Sequence, residues 1–297
     1  SAQDTDGHGT FVAGVIAAAT NNAAGIAGMA FPAQLLVAKV VGRDGTISPE
    51  AEARAIRWAV DSGARVVNMS IGGLRDPRDR AALPHVVGVG ALTRRGDVSL
   101  FSDRDAVFVD VAAPGEGILS TLPRALTARR PTCVEQGTSL CGPTEYRDAE
   151  GTSFAAPQVA AAIALVLCVR PTLTALQAAT IVERTAADVH AGTGCGRCPL
   201  LRDGYTGWGA LDVEAAVRSL AGPLPRVDLF EPNDDAQHPY PVWGLPRSIE
   251  AGLDFWDDAL DVYAVRMRAG QLIDARLSGP PGVQTELSVW MADTASL

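Results

Sequence analysis

The chain has 297 residues, of which 47% are apolar and 20% charged, with a formal net charge of −9. These are ordinary values for a soluble globular protein with a real core. The acidic excess argues against a nucleic-acid partner, because phosphates would be repelled, and it leaves carboxylates available for hard cations. No apolar stretch reaches the length of about twenty residues that a membrane-spanning helix needs. The SAQD start has neither an initiator methionine nor a signal-peptide pattern, which predicts a processed chain or a fragment.

In chain order, LLVAKVV (35–41) predicts a buried strand that ends in a turn at RDG (43–45). Ser48 offers an N-cap with Pro49 at the first helical position, predicting a helix to about Val60. RVVNMSIGG (65–73) predicts a second buried strand, and HVVGVGAL (85–92) and AVFVDVAAPG (106–115) are strand-like as well. After Ser153, a helix carries Val159, Ile163, Val166 and Leu167 on one face, with Cys168 inside it as a small hydrophobe. Thr174 and Gln177 form a capping box for the next helix. A last helix starts at Asp212 and buries Val213, Val217 and Leu220. Alternation of this kind predicts an α/β fold, a parallel sheet with helices on both faces.

The texture changes after Gly222. Residues 1–222 read as one domain, 223–229 as a linker, and 230–297 as a small antiparallel β domain. In that last part DVYAVRMRAGQ (261–271) alternates residue by residue and QLIDARLSG (271–279) follows across a turn. Four of the five cysteines form two local pairs in Gly/Pro-rich loops, Cys133 with Cys141 and Cys195 with Cys198. Two short disulfides in an oxidising compartment fit this pattern, and CGRC (195–198) also has the spacing of a zinc half-site.

Chemistry concentrates in DGHGTFVAGVIAA (6–18) and GTSFAAPQVAAAIAL (151–165). In each, a glycine-rich turn enters an alanine-rich helix. Gly151 permits a sharp turn that leaves Ser153 at a helix N-terminus, where backbone N–H groups meet an oxyanion. Ala155 and Ala156 let the helix lie close to a sheet, and Pro157 is expected in the first turn, where an N–H is not needed. His8, between Gly7 and Gly9, is the candidate base for the serine proton.

Together with NNAAGIAGMA (21–30), VVNMSIGG (66–73), GVGAL (88–92) and APG (113–115), these stretches resemble the subtilisin-like serine proteases over roughly residues 6–220. The resemblance implies a serine endopeptidase acting on extended polypeptides, with His8 as general base and Ser153 as nucleophile. It implies that Ser70, Ile71 and Gly72 pair with the substrate backbone. It further implies secretion or a bacterial cell-surface location, no cofactor for the chemistry, and a structural calcium near Asn21 and Asn22, for which a solvated turn is the other reading. The C-terminal part, through EPNDDA (231–236) and DDALDVYAVRMRAGQ (257–271), resembles the pre-peptidase C-terminal β-sandwich domains of bacterial peptidases, and it looks truncated. There Asp234, Asp235, Asp257, Asp258 and Asp261 are either calcium ligands or exposed turns.

Two family parts have no counterpart. The triad aspartate lies on a strand upstream of the histidine, whereas Asp4 and Asp6 fall in the loop beside it. The oxyanion asparagine follows a helix and a strand for which LRDPRDRAA (74–82) is too short. The expectation is therefore a subtilase domain that is incomplete and weak or inactive as it stands. The alternative is a non-catalytic remnant that binds peptides or a surface.

Overall fold

The structure is a computed structural model and describes residues 3–42, 45–72, 86–129, 145–223, 228–233, 236, 238–244, 247–254, 260–279, 285 and 287–291. The chain divides into two compact units, Ser1–Pro223 and Leu224–Leu297.

In the first unit the order is α1 (His8–Ala17), α2 (Pro49–Asp61), β1 (Val89–Leu92), β2 (Val111–Pro114), β3 (Ile118–Thr121), α3 (Arg124–Arg129), β4 (Tyr146–Ala149), α4 (Thr152–Val169), α5 (Ala175–Arg184) and α6 (Val213–Ser219). β1 and β2 pair in parallel, with Val89 opposite Val111 and Leu92 opposite Pro114. β3 and β4 form an antiparallel pair running from Ile118 opposite Ala149 to Thr121 opposite Tyr146. α4 is the central element and packs on α1, β1, β2, α5 and α6. It is also the one described helix long and apolar enough to cross a membrane, and half of it is buried within the protein.

Local chemistry sets these helices. Ser48 Oγ accepts the Ala51 N–H at 3.1 Å with Pro49 at the first helical position, so α2 starts where the sequence predicts. The Thr174–Gln177 capping box opens α5. Asp212 accepts the Ala215 N–H at 2.8 Å and opens α6. One core cluster joins Phe11, Val12, Val15 and Ile16 of α1 to Leu122, Phe154 and Ala161. Burial of each large side chain there is worth about 1.5–3 kcal/mol. A second cluster gathers Leu92, Val98, Ala112, Val189, Cys195 and Cys198.

Several expectations need correction. Residues 35–41 form no strand, and Leu35, Leu36, Val37 and Val41 are exposed rather than buried. Residues 66–72 behave the same way. Val66, Asn68 and Ser70 are half-buried while Val67, Met69 and Ile71 face outward. An apolar β-branched run favours extended backbone, but a strand exists only when a neighbour completes its ladder. The parallel sheet is accordingly two strands among the described residues, short of the broad sheet covered by helices on both faces that the alternation predicts. Cys168 is exposed, because it lies at the outward end of α4 rather than on the face carrying Val159, Val166 and Leu167. In the last helix Leu220 is buried, while Val213 and Val217 are only half-buried and Ala216 takes the deepest position.

In the second unit β5 (Tyr240–Val242) and β6 (Tyr263–Val265) pair in parallel, not antiparallel, and residues 271–279 form no strand. Alternation reveals an extended segment but not its partner. The twenty residues between Val242 and Tyr263 let the chain return in the same direction, as a parallel pair requires. Phe230, Tyr240 and Tyr263 meet edge to face around this pair. Asn233 is fully buried and donates to Asp261 at 2.7 Å, so Asp261 is engaged inside the unit. Asp234, Asp235, Asp257 and Asp258 lie outside the described residues, as do Cys133, Cys141 and the segment 74–82.

Candidate active site

His8 is the first residue of α1, and the residues before it fix its position. Gly7 adopts φ 104°, a left-handed conformation, and a Cβ there would approach Leu122 Cδ2 to 2.6 Å. Glycine is therefore required twice over, for backbone and for space. Gly7 has no side chain to cap the helix, and Asp4 does so from three residues upstream. Asp4 Oδ1 accepts the Asp6 and Gly7 N–H groups at 3.0 and 2.8 Å. Its Oδ2 accepts the Thr10 N–H at 2.8 Å and the Thr10 hydroxyl at 2.6 Å. Partial burial alone would raise the Asp4 pKa, but the Thr10 hydroxyl and the three N–H donors outweigh it and hold the carboxyl below its ordinary range. Asp6 accepts the backbone N–H of His8 at 3.3 Å. Both carboxylates thus serve the loop backbone, and among the described residues none is hydrogen-bonded to the His8 imidazole.

Ser153 is the second residue of α4. Gly151, before it, adopts φ 150° and ψ 153°, a region essentially reserved for glycine. Its N–H donates to Gly115 O at 2.8 Å, and the Gly115 N–H donates to Leu92 O at 2.8 Å, so the end of β1 anchors the turn. Gln158 Nε2 donates to Pro114 O at 2.6 Å and to Phe154 O at 2.8 Å, tying the start of α4 to β2. No side chain caps this helix end. The Phe154 N–H donates to Gly151 O at 3.0 Å, so the Thr152 and Ser153 N–H groups, at the positive end of the helix dipole, are the ones left for an anion.

The packing of α1 on α4 places His8 against the residue that follows Ser153. The His8 ring lies 5.7 Å from the ring of Phe154, the residue after Ser153, and Phe154 packs on Phe11 at 4.3 Å. Ser70 joins them, its hydroxyl donating to Ser153 O at 2.8 Å while it accepts from Asn68 Nδ2 at 3.0 Å. Ile71 and Gly72 are exposed, and no described atom lies within 4 Å of where a Cβ on Gly72 would sit. Pro157 is the sixth residue of α4 rather than part of its first turn, because the helix already begins at Thr152.

Asn21 and Asn22 sit elsewhere, in an open cleft of about 370 Å³ formed by residues 19–27. Asn22 Oδ1 already accepts the Ala24 N–H at 3.1 Å. The loop contains no carboxylate, and among the described residues no three His, Cys, Asp or Glu side chains converge on a point. The described residues therefore show no calcium site at Asn21 and Asn22. Cys195 and Cys198 form a disulfide, so the thiolates that a zinc site would use are absent.

The sequence reading missed Asp4 as the cap, Gln158 as a strut, Asn68, and the aromatic contact through Phe154. A glycine in front of a helix with no capping side chain signals an external cap. Gln158 and Phe154 depend on contacts between distant segments, and Asn68 acts through Ser70.

The profile of the Subtilase family matches residues 1–83 and 75–209. An extracellular protease of Xanthomonas campestris pv. campestris is 33% identical over 253 residues, covering 71% of this chain and 40% of that protein. Thermitase of Thermoactinomyces vulgaris is 31% identical over 221 residues, covering 65% of this chain and 71% of that protein. The crystal structure of fervidolysin from Fervidobacterium pennivorans, a keratinolytic enzyme related to subtilisin, is similar at a TM-score of 0.58 and 28% identity, covering 79% of this chain and 39% of that one.

Proposed function

Because the chain belongs to the subtilase family, we propose that it carries the nucleophile half of a serine endopeptidase, with Ser153 forming an acyl-enzyme and His8 serving as base. In this reading Ser153 Oγ attacks the scissile carbonyl carbon while its proton passes to the His8 imidazole. The oxyanion meets the N–H groups of Thr152 and Ser153 at the start of α4. The tetrahedral species then expels the amine, which takes the proton from His8, and water completes hydrolysis by the same route. Ser70–Gly72, half-buried at Ser70 and exposed at Ile71 and Gly72, holds the substrate backbone. Subtilases need no cofactor for this chemistry, and calcium at Asn21 and Asn22 enters no step. The relatives' names support secretion.

The observation that carries the proposal is the approach of His8 to the Ser153 turn through Phe154. The expected rate is low. An orienting carboxylate on the histidine is worth about 10⁴ in turnover, and an oxyanion side-chain donor about 10²–10³. Those figures come from trypsin and subtilisin, not from this chain. The test is reaction with a fluorophosphonate, read by peptide mass spectrometry. Slow labelling of Ser153 that Ser153→Ala abolishes is expected, and a folded chain that stays unlabelled would refute the reading.

One observation favours a second reading, a remnant that binds without cutting. No described carboxylate orients His8. Peptide binding unchanged by Ser153→Ala, with no labelling, would establish it.

A further inference from the structure

The carbonyl of Ser153 has no α-helical N–H donor in its own helix. In α4, which begins at Thr152, the N–H of residue 157 is the one that would donate to it. Residue 157 is a proline, which has no N–H and whose ring crowds the carbonyl four residues back. The structure supplies a substitute from a distant part of the chain. The Ser70 hydroxyl donates to Ser153 O at 2.8 Å and is itself oriented by the Asn68 amide at 3.0 Å. The next carbonyl in the helix, that of Phe154, accepts from Gln158 Nε2, which also donates to Pro114 O. The first turn of α4 is therefore gripped from two sides.

We propose that Ser70, oriented by Asn68, is a positioning residue for Ser153, its hydroxyl replacing the amide proton that Pro157 removes. The inference rests on the reading of Ser153 as nucleophile and extends it. Pro157 frees a carbonyl at the nucleophile, and that carbonyl becomes the point at which the extended run 66–72 is tied to the start of α4. Ser70 thus acts through its side chain on the nucleophile, in addition to the role of the 70–72 backbone towards substrate.

A double-mutant cycle tests this in the full chain, with fluorophosphonate labelling rate and thermal midpoint both measured. Ser70→Ala is expected to slow the labelling step by about tenfold, the usual order for orphaning one polar group, with little change in the half-saturating reagent concentration. Ser70→Thr, which keeps the hydroxyl, is expected to restore the rate. In the Pro157→Ala background the helix supplies its own N–H, so Ser70→Ala is expected to change both rate and midpoint far less. Equal effects of Ser70→Ala in the two backgrounds overturn the proposal. Coupling in the thermal midpoint without labelling of any variant supports the tether and overturns the acyl-enzyme reading, so the two failures are distinct. Where Ser70→Ala does not fold, Asn68→Ala reads the same link. A smaller loss that Pro157→Ala removes supports the proposal, and one that it leaves unchanged overturns it.

Discussion

Replacement of Asp4 by alanine removes the four hydrogen bonds that hold the first turn of α1. Thr10 is the third residue of that helix and Gly7 offers no side chain, so the Thr10 N–H loses its acceptor outright. Loss of a helix cap costs about 0.5–2 kcal/mol, and loss of a carboxylate at the positive helix end adds about 0.3–1 kcal/mol. Asp4 is only partly buried, and solvent screening lowers the sum. A value of about 2 kcal/mol results, which lowers the melting temperature of a domain this size by roughly 4–8 °C.

The folded pKa of Asp4 lies below its ordinary value of 3.8. The stabilisation is therefore complete above that value and disappears as pH falls through the lower, folded one. Calorimetry of the wild type and Asp4→Ala across neutral and acid pH should show a gap that closes only below 3.8. A gap independent of pH, or none at neutral pH, would refute the cap.

Three further outcomes are expected. Gly151→Ala is expected to destabilise by about 1–3 kcal/mol through backbone strain alone, because the nearest atom to the new Cβ is 3.6 Å away, and calorimetry with Ser153 labelling measures both effects. The Cys195→Ala/Cys198→Ala double variant is expected to lose about 2 kcal/mol in a denaturant titration, since the closed loop is short. A loss near zero would mean that the clip does not restrict the unfolded chain. Cys168 is exposed and free, so brief alkylation of the native protein is expected to modify it while the 195–198 peptide stays intact. Protection of Cys168 would return it to the core, where sequence periodicity places it.

The helix starts at Pro49 and Ala175 and the glycine-framed turns before His8 and Ser153 were legible without coordinates, because capping and glycine conformation are local chemistry. The order of motifs identified the family for the same reason, since each is a short run of residues. Strand pairing was less legible. Runs 35–41 and 66–72 have strand composition but no described partner, and Tyr263–Val265 takes a parallel partner across a gap of twenty residues. Ladders join residues far apart in sequence, and composition carries no record of which segment arrives alongside. The site divides in the same way. Sequence alone pointed to His8 and Ser153 as candidates and put Pro157 in the first turn, where its missing N–H would cost nothing. Only the tertiary structure decided that Phe154 brings His8 to the serine turn and that Ser70 reaches the orphaned carbonyl. Both are contacts between segments that meet only through packing of the whole unit.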